Sequence, residues 1–208
     1  MLILNQKIPH GVPVKLGFSG GVDSLALAYF LRRHKNVTLC HFHHGCQYSD
    51  AIADACIEKA KQLNMPIIIG NIQNQRKPKQ SLEDYWRRER YRFLYSVEGN
   101  IVLTAHHLND AVETWVFSSM HGEGKLIQPS QTISFQGKEC KLLRPLLLTT
   151  KAEIKDYASQ HALSAVDDPY NEELDLTRNY IRRIMMPHVL KINPGIEKVI
   201  RKKYLIKN

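Results

Sequence analysis

The sequence predicts an α/β fold, a parallel sheet with helices on both faces followed by a short helical C-terminal extension, and three observations carry the prediction. Short runs that are β-branched or apolar throughout recur between longer segments of helical spacing. Strands lacking polar alternation are those covered on both faces. The order of these segments is βαβα, which argues a parallel sheet. Finally, the first apolar run ends in Ser19-Gly20-Gly21-Val22-Asp23-Ser24 ahead of an apolar helix, and ligands of such sheets sit beyond the carboxyl ends of the strands.

Val14–Phe18 is the first strand and Val22–His34 the helix after it. Gly20 and Gly21 can take positive φ and let the backbone approach a ligand closely. The turn offers free N–H groups at a helix N-terminus, where the dipole favours an anion. Ser19 and Ser24 add hydroxyls, and Asp23 adds a carboxylate suited to a Mg²⁺ shared with phosphates. No lysine stands where a Walker loop needs one, which argues against ordinary γ-phosphate chemistry. A glycine turn that merely joins strand to helix is the plainer reading of the same string.

Val37–His43 is the second strand and runs into His41-Phe42-His43-His44-Gly45; a period of two puts His41 and His43 on one face. Asp50–Asn64 is a helix, Pro66–Gly70 the third strand, and Gln73–Gln80 a polar, basic loop. In the helix Ser81–Val97, Leu82, Trp86, Phe93 and Leu94 are core positions. Glu83 and Arg87 are i, i+4, either a surface ion pair of little worth or a device that aims an arginine at phosphate. Ile101–Thr104 is the fourth strand and Asp110–Met120 the helix it feeds. Asp110 and Glu113 share one face of that helix; they suit a Mg²⁺, a substrate ammonium, or simple helix capping. Gly122–Gly137 reads as a flexible loop and Lys141–Leu147 as a last short strand. From Thr149 onward the pattern is helical: Thr149–His161, a polar turn over Asp167–Asn171, Thr177–Met186 ended by Pro187, and Ile196–Leu205.

A chain of 208 residues with 43% apolar content can bury one good core. Leu2-Ile3-Leu4 is too short for a secretory h-region, and no apolar run approaches membrane-spanning length. A cytoplasmic protein without a membrane partner is expected. Cys40, Cys46, Cys56 and Cys140 contain no Cys-x-x-Cys pair and read as reduced thiols. The histidines lack the cysteine or carboxylate spacing of a zinc site. Net charge is +9, and Thr177–Asn208 holds nine Lys or Arg against the single acid Glu197. That leaves +8 on the tail and +1 on the preceding residues, a distribution that suits a polyanion such as nucleic acid, or a solvated basic face.

Six strings in order resemble the tRNA(Ile)-lysidine synthetase family of the PP-loop ATP-pyrophosphatase superfamily: Ser19–Ser24, His41–Gly45, Glu83–Tyr91, Thr104–Thr114, Arg144–Leu147, and Asp168–Asn171 with Arg178–Arg182. The resemblance covers residues from about 14 to 187, each string being weak to moderate by itself. It implies a Rossmann-like PP-loop domain over residues 1–148 and a helical extension with a basic tail over 149–208, a short form lacking the family's C-terminal tRNA-binding domains. It also implies adenylation by ATP, with Mg²⁺, of cytidine 34 in the CAU anticodon of tRNA(Ile), followed by attack of free L-lysine to give lysidine, AMP and pyrophosphate. Carried onto this sequence, Asp23, Asp110, Glu113 and Arg87 are the catalytic candidates, and Ser19, Gly20, Gly21, Asp23, Ser24, His43 and His107 the nucleotide-binding ones. Asp23 and Asp110 are the metal candidates, and Arg178, Asn179, Arg182, Arg183, Lys202 and Lys203 the RNA-binding ones. Trp86 and Tyr170 stand where the family has alanine and serine, and a family glycine-rich loop is reduced to His121–Leu126. A thiolase-type PP-loop enzyme and a non-catalytic ATP- or RNA-binding remnant are the alternatives.

Overall fold

The computed structural model describes residues 2, 4–34, 36–167, 169 and 177–206. Six strands form one sheet in the order β3-β2-β1-β4-β6-β5. They are β1 Val14–Gly17, β2 Val37–His43, β3 Ile67–Asn71, β4 Ile101–Leu103, β5 Ser130–Phe135 and β6 Lys138–Leu143. All neighbouring pairs are parallel except β5 with β6. The expected parallel sheet thus gains an antiparallel edge, and the expected loop Gly122–Gly137 contains a strand. The reason lies in Gln136 and Gly137, both at positive φ: they turn the chain tightly enough for Ser130–Phe135 to pair back onto the next strand. β5 is largely exposed, as an edge strand covered on few sides is, so no apolar run announces it.

Helices α1 Val22–Leu31, α2 Ser49–Leu63 and α5 Lys151–Gln160 pack with one face of the sheet, and α3 Leu82–Ser96 with the other. Successive strand residues go to opposite cores, as the pleat requires: Leu39 and Cys40, Val102 and Leu103, Leu142 and Leu143 each divide between the two clusters. Of the expected core positions in α3, Leu94 is buried while Leu82, Trp86 and Phe93 are half-buried. Lys15 is fully buried in β1 and donates from Nζ to the Val97 carbonyl at 2.7 Å, tying the strand to the end of α3.

α4 Leu108–Met120 belongs to a third cluster with α7 Met186–Ile192 and α8 Ile196–Ile206. Packing therefore crosses residue 148: Ile154 and Tyr157 of α5 lie in the same core as α1, and Ile196, Ile200 and Tyr204 of α8 are buried against α4. Pro187 does not end the preceding helix. α6 Thr177–Tyr180 passes into a π-helical turn, Ile181–Met185, and then directly into α7. The π turn restarts the ladder at Met186, so Pro187 falls in a first turn, where a missing N–H costs nothing. No described helix is long and apolar enough to cross a membrane.

Candidate active site

The strand order reverses between β1 and β4, and the crevice of an open α/β sheet forms where connections diverge in this way. A cleft of about 610 Å³ opens there, lined by Phe18–Ser19, Asp23–Ser24, the end of β2, α3, Thr104–His106, Asp110 and Arg178–Arg182 residues. At its floor the Ser19–Ser24 loop is braced from within. Ser24 is buried; its Oγ accepts from the Ser19 N–H at 3.2 Å and donates to the Gly21 carbonyl at 3.0 Å. Gly20 sits at φ +78, and a Cβ there would lie 2.8 Å from both Cys56 Sγ and Val166 Cγ2. The Gly20 carbonyl accepts from the Val166 N–H at 3.0 Å, so a segment far along the chain presses on the loop. No side chain caps the N-terminus of α1, which leaves its first N–H groups available to an anion.

Asp23 rises from that turn, and Lys151 meets it. Lys151 Nζ lies 2.6 and 2.7 Å from the two Asp23 oxygens, and His107 Nε2 lies 3.7 Å from Oδ1. Lys151 is the first residue of α5, positioned by the capping box of Thr150 and Glu153. Asn109 strengthens the arrangement by accepting from the Lys151 N–H through Oδ1 and donating to Glu197 of α8 through Nδ2. The partner of Asp23 escaped sequence reasoning; its one trace is a helix start, Thr-Lys-x-Glu, with no hint of where that start would dock.

Across the crevice Asp110 and Glu113 meet Arg178 and Arg182. Asp110 Oδ1 accepts from Arg178 Nη2 at 2.8 Å and Arg182 Nη2 at 2.9 Å, while Oδ2 accepts from the His107 N–H at 2.9 Å. Glu113 accepts from Arg182 Nε at 2.8 Å and Nη2 at 3.0 Å. The carboxylates are nearly buried and the guanidinium groups about two-fifths exposed. Burial by itself would raise the Asp110 carboxyl, yet His107, Arg178 and the backbone donor hold it well below its usual range. Burial works against the Arg182 charge, but the bonds it donates to Glu113 and the charges of both acids raise it on balance. Capping is real too: His107 is the N-cap and Asp110 closes the box.

Sequence-expected residues distribute unevenly over this crevice. Ser19, Asp23, Ser24, Asp110, Arg87, Arg178, Asn179 and Arg182 line it. His43 instead turns to Asp50, 2.9 Å away, and His107 is buried in its capping role; the ring neighbours His44 and His106 are the ones that line the crevice. His44 lies edge-on to Phe42 and tilted against Trp86, and burial lowers it to about 3 with help from Arg90. His106 bonds Thr104 Oγ1 at 2.8 Å; burial takes it down to about 3, Asp110 opposing and Arg178, Arg144 and Arg90 assisting. Both rings are therefore neutral donors or acceptors at neutral pH. Arg87 lies over the Tyr91 ring rather than against Glu83. Glu89, unremarked in the sequence, is buried and takes four hydrogen bonds from Gln73 and Asn74, anchoring the basic loop. Lys202 and Lys203 are exposed on α8, away from the crevice lining. The turn Asp168–Asn171 lies outside the described residues, apart from Pro169.

Among the described residues no three His, Cys, Asp or Glu side chains gather as a metal cage. A hard cation that shares its shell with phosphates and water needs fewer protein ligands. Asp23 fits that role once Lys151 yields; both Asp110 oxygens are already engaged.

The PP-loop domain profile matches residues 4–189. A tRNA(Ile)-lysidine synthase of Persephonella marina is 34% identical over 204 residues, 91% of this chain and 44% of that protein. One of Nitrosomonas europaea is 30% identical over 206 residues, covering 95% and 45%. The chain thus spans less than half the length of these curated relatives. In fold it is similar to a U34-tRNA thiolase of Methanococcus maripaludis solved with its 4Fe–4S cluster, with a TM-score of 0.71 at 18% identity over 94% of this chain and 71% of that one.

Proposed function

We propose, for a chain that belongs to the PP-loop domain family and so uses ATP, that it catalyses the tRNA(Ile)-lysidine synthase reaction. In that reaction the C2 carbonyl oxygen of cytidine 34, in the CAU anticodon of tRNA(Ile), attacks the α-phosphate and pyrophosphate departs. The ε-amine of free L-lysine then attacks C2 and AMP departs. The observation that carries the reading is one continuous crevice lined at one end by the Ser19–Ser24 loop and at the other by Asp110, Arg178 and Arg182. An anion-binding turn and a carboxylate–guanidinium cluster on the same cleft are what a phosphoanhydride split followed by amine attack requires.

The residues divide the work as follows. The free N–H groups of Gly21 to Asp23 hold the leaving pyrophosphate, with the Ser19 hydroxyl beside them. Mg²⁺, when bound with the phosphates, supplies neutralising charge, and Asp23 is the side chain that would hold it. Lys151 releases Asp23 and keeps its positive charge next to the same phosphates. Arg178 and Arg182 are charge-balanced by Asp110 and Glu113. An incoming ammonium therefore gains these carboxylates only as the arginines turn to phosphate, so RNA entry and lysine entry are coupled. Arg87 extends the basic wall, with the neutral Asn179 beside it, and Arg183, Lys202 and Lys203, exposed outside the crevice, continue the positive charge for the tRNA backbone. Incubation with ATP, Mg²⁺, L-lysine and unmodified tRNA(Ile) tests the proposal. Nucleoside mass spectrometry is expected to show lysidine with one AMP per modified nucleoside. ATP consumption without a changed nucleoside refutes it, and a sulfur-containing nucleoside formed with sulfide favours thiolation instead.

A further inference from the structure

α8 presents two faces. Lys198, Lys202 and Lys203 are exposed on it, whereas Glu197 and Arg201 turn inward to the starts of α4 and α5. Glu197 and Arg201 are i, i+4, a spacing at which such side chains can pair with each other; here each takes a partner on another helix. Glu197 Oε1 accepts from Asn109 Nδ2 at 2.6 Å, and Asn109 Oδ1 accepts in turn from the Lys151 N–H at 2.8 Å. That N–H is one of the donors a helix start leaves open, so α5 is capped from α4 by a residue that α8 holds. Arg201 Nη2 donates to Glu153 Oε2 at 3.1 Å, the oxygen that also accepts from the Thr150 hydroxyl at 2.8 Å in the α5 capping box. Burial by itself would raise the Glu153 carboxyl, yet Thr150 and Arg201 hold it below its usual range, so the contact with α8 is charge-assisted at neutral pH. Both devices that fix the first turn of α5 are shared with α8. The residue they fix is Lys151, whose Nζ reaches the Asp23 carboxylate of the phosphate loop.

We propose that α8 is a strut of the phosphate site: Asn109 and Glu197, with Glu153 and Arg201, are positioning residues that hold Lys151 at the Ser19–Ser24 loop, so that a polyanion on the outer face of α8 and a nucleotide in the crevice change each other's affinity. The lysine that a Walker loop carries within itself stands here on another helix, and its stem is flexible. Its reach to the phosphates therefore depends on how firmly the start of α5 is held. Ile196, Ile200 and Tyr204 seat α8 in the same core as α4, so a force on its exposed lysines is felt at Glu197 and Arg201. RNA that pins α8 favours the held position of Lys151 and thereby the nucleotide, and the effect is reciprocal. The coupling rests on the RNA reading of these lysines given above, whereas the positioning role rests on the hydrogen bonds alone.

Calorimetric titration of the whole chain with α,β-methylene-ATP and Mg²⁺, with and without unmodified tRNA(Ile), tests it. Lys151→Met sets the scale of the loss, expected at about tenfold or more. Asn109→Asp sets two carboxylates against each other and is expected to weaken the analogue by about fivefold or more. Glu197→Gln keeps an acceptor for Asn109 and should cost less than about twofold. Adding Glu197→Gln to Asn109→Asp restores the bond with its direction reversed, and affinity should return to within about twofold of the wild-type chain, a recovery that a general loss of packing would not allow. In a Lys151→Met background Asn109→Asp should add less than about twofold, because it acts through that lysine. Saturating tRNA is expected to tighten the analogue at least about fivefold in the wild-type chain and less than about twofold in Asn109→Asp. Full analogue affinity in Asn109→Asp, no recovery in the double variant, or an undiminished loss in the Lys151→Met background overturns the strut. Bound tRNA that leaves the analogue's affinity unchanged overturns the coupling and leaves the proposed reaction standing. Absence of tRNA binding overturns the coupling together with the RNA reading, while the nucleotide comparisons decide the strut by themselves.

Discussion

Replacing Arg182 with methionine removes the guanidinium that holds Glu113 and half of Asp110 while keeping most of the side-chain volume. Three hydrogen bonds disappear, two to Glu113 and one to Asp110. Asp110 retains Arg178 and the His107 N–H, but Glu113, 9% exposed, is left among the described residues with only the 3.8 Å approach of Arg178 Nε. Stripping one partner from a buried ion pair costs about 3–5 kcal/mol. Here the arginine is about two-fifths exposed, so solvent screens part of the interaction and ~2–3 kcal/mol is the expected loss. For a chain of this size that corresponds to roughly 5–10 °C in Tm. Urea unfolding measures the loss directly, and a cycle with Glu113→Gln isolates the pair; its coupling should be about 1.5–3 kcal/mol. Removing Glu113 first leaves Arg182 with Asp110, so the double mutant should cost clearly less than the sum. Losses under about 0.5 kcal/mol, or strict additivity, would refute the clamp and make Arg182 a solvated side chain.

Three further outcomes are expected. Asp23→Ala should abolish AMP formation with near-native circular dichroism, because Asp23 faces the crevice rather than the core; undiminished AMP release would remove it from the phosphate site. Substituting Lys198, Lys202 and Lys203, all exposed on α8, by serine should lower the log–log salt slope of tRNA binding by about 2–3, whereas an unchanged slope would mean that the tRNA is held elsewhere. Finally, His44 and His106 have folded-state pKa values lowered to about 3, below an unfolded value of about 6.5. The unfolded chain therefore takes up the proton first, and stability is complete above about pH 6.5 and lost as pH falls towards 3. The loss is at most ~1.4 kcal/mol per pH unit for each ring, and less because both rings are partly exposed. Tm should fall from pH 7 to pH 5, and His106→Gln should flatten that fall; an unaltered slope would show that His106 is not responsible.

Burial of one face of α8 decides how the basic tail is tested. Its charges were legible in composition, but Ile196, Ile200 and Tyr204 are buried against α4, and Tyr204 donates to the Ile127 carbonyl. Deleting the helix would remove part of a core together with the charges, so substitution of its exposed lysines separates the two effects.

What the sequence determined by itself is what depends on near neighbours. Four parallel strands were legible because strands covered on both faces must be apolar throughout, and their helices because apolar residues return with the helical period; the fifth, β6, was read as Lys141–Leu147 and runs Lys138–Leu143. The Ser19–Ser24 turn was legible because two adjacent glycines between a strand and an apolar helix mark a turn locally, and Gly20 does take φ +78. The edge strand Ser130–Phe135 was not, since an exposed edge demands no apolar run; nor was the helix through Pro187, since only the π turn before it places the proline harmlessly. The site divides in the same way. The loop and the Asp110–Glu113 pair are short strings with local geometry. Lys151 on Asp23 and Arg178 and Arg182 on Asp110 join residues 128, 68 and 72 positions apart. Only the tertiary structure decided those pairings, because a charge in a sequence carries no address: its partner is whichever opposite charge the packing of α4, α5 and the π turn brings within hydrogen-bond reach and away from water.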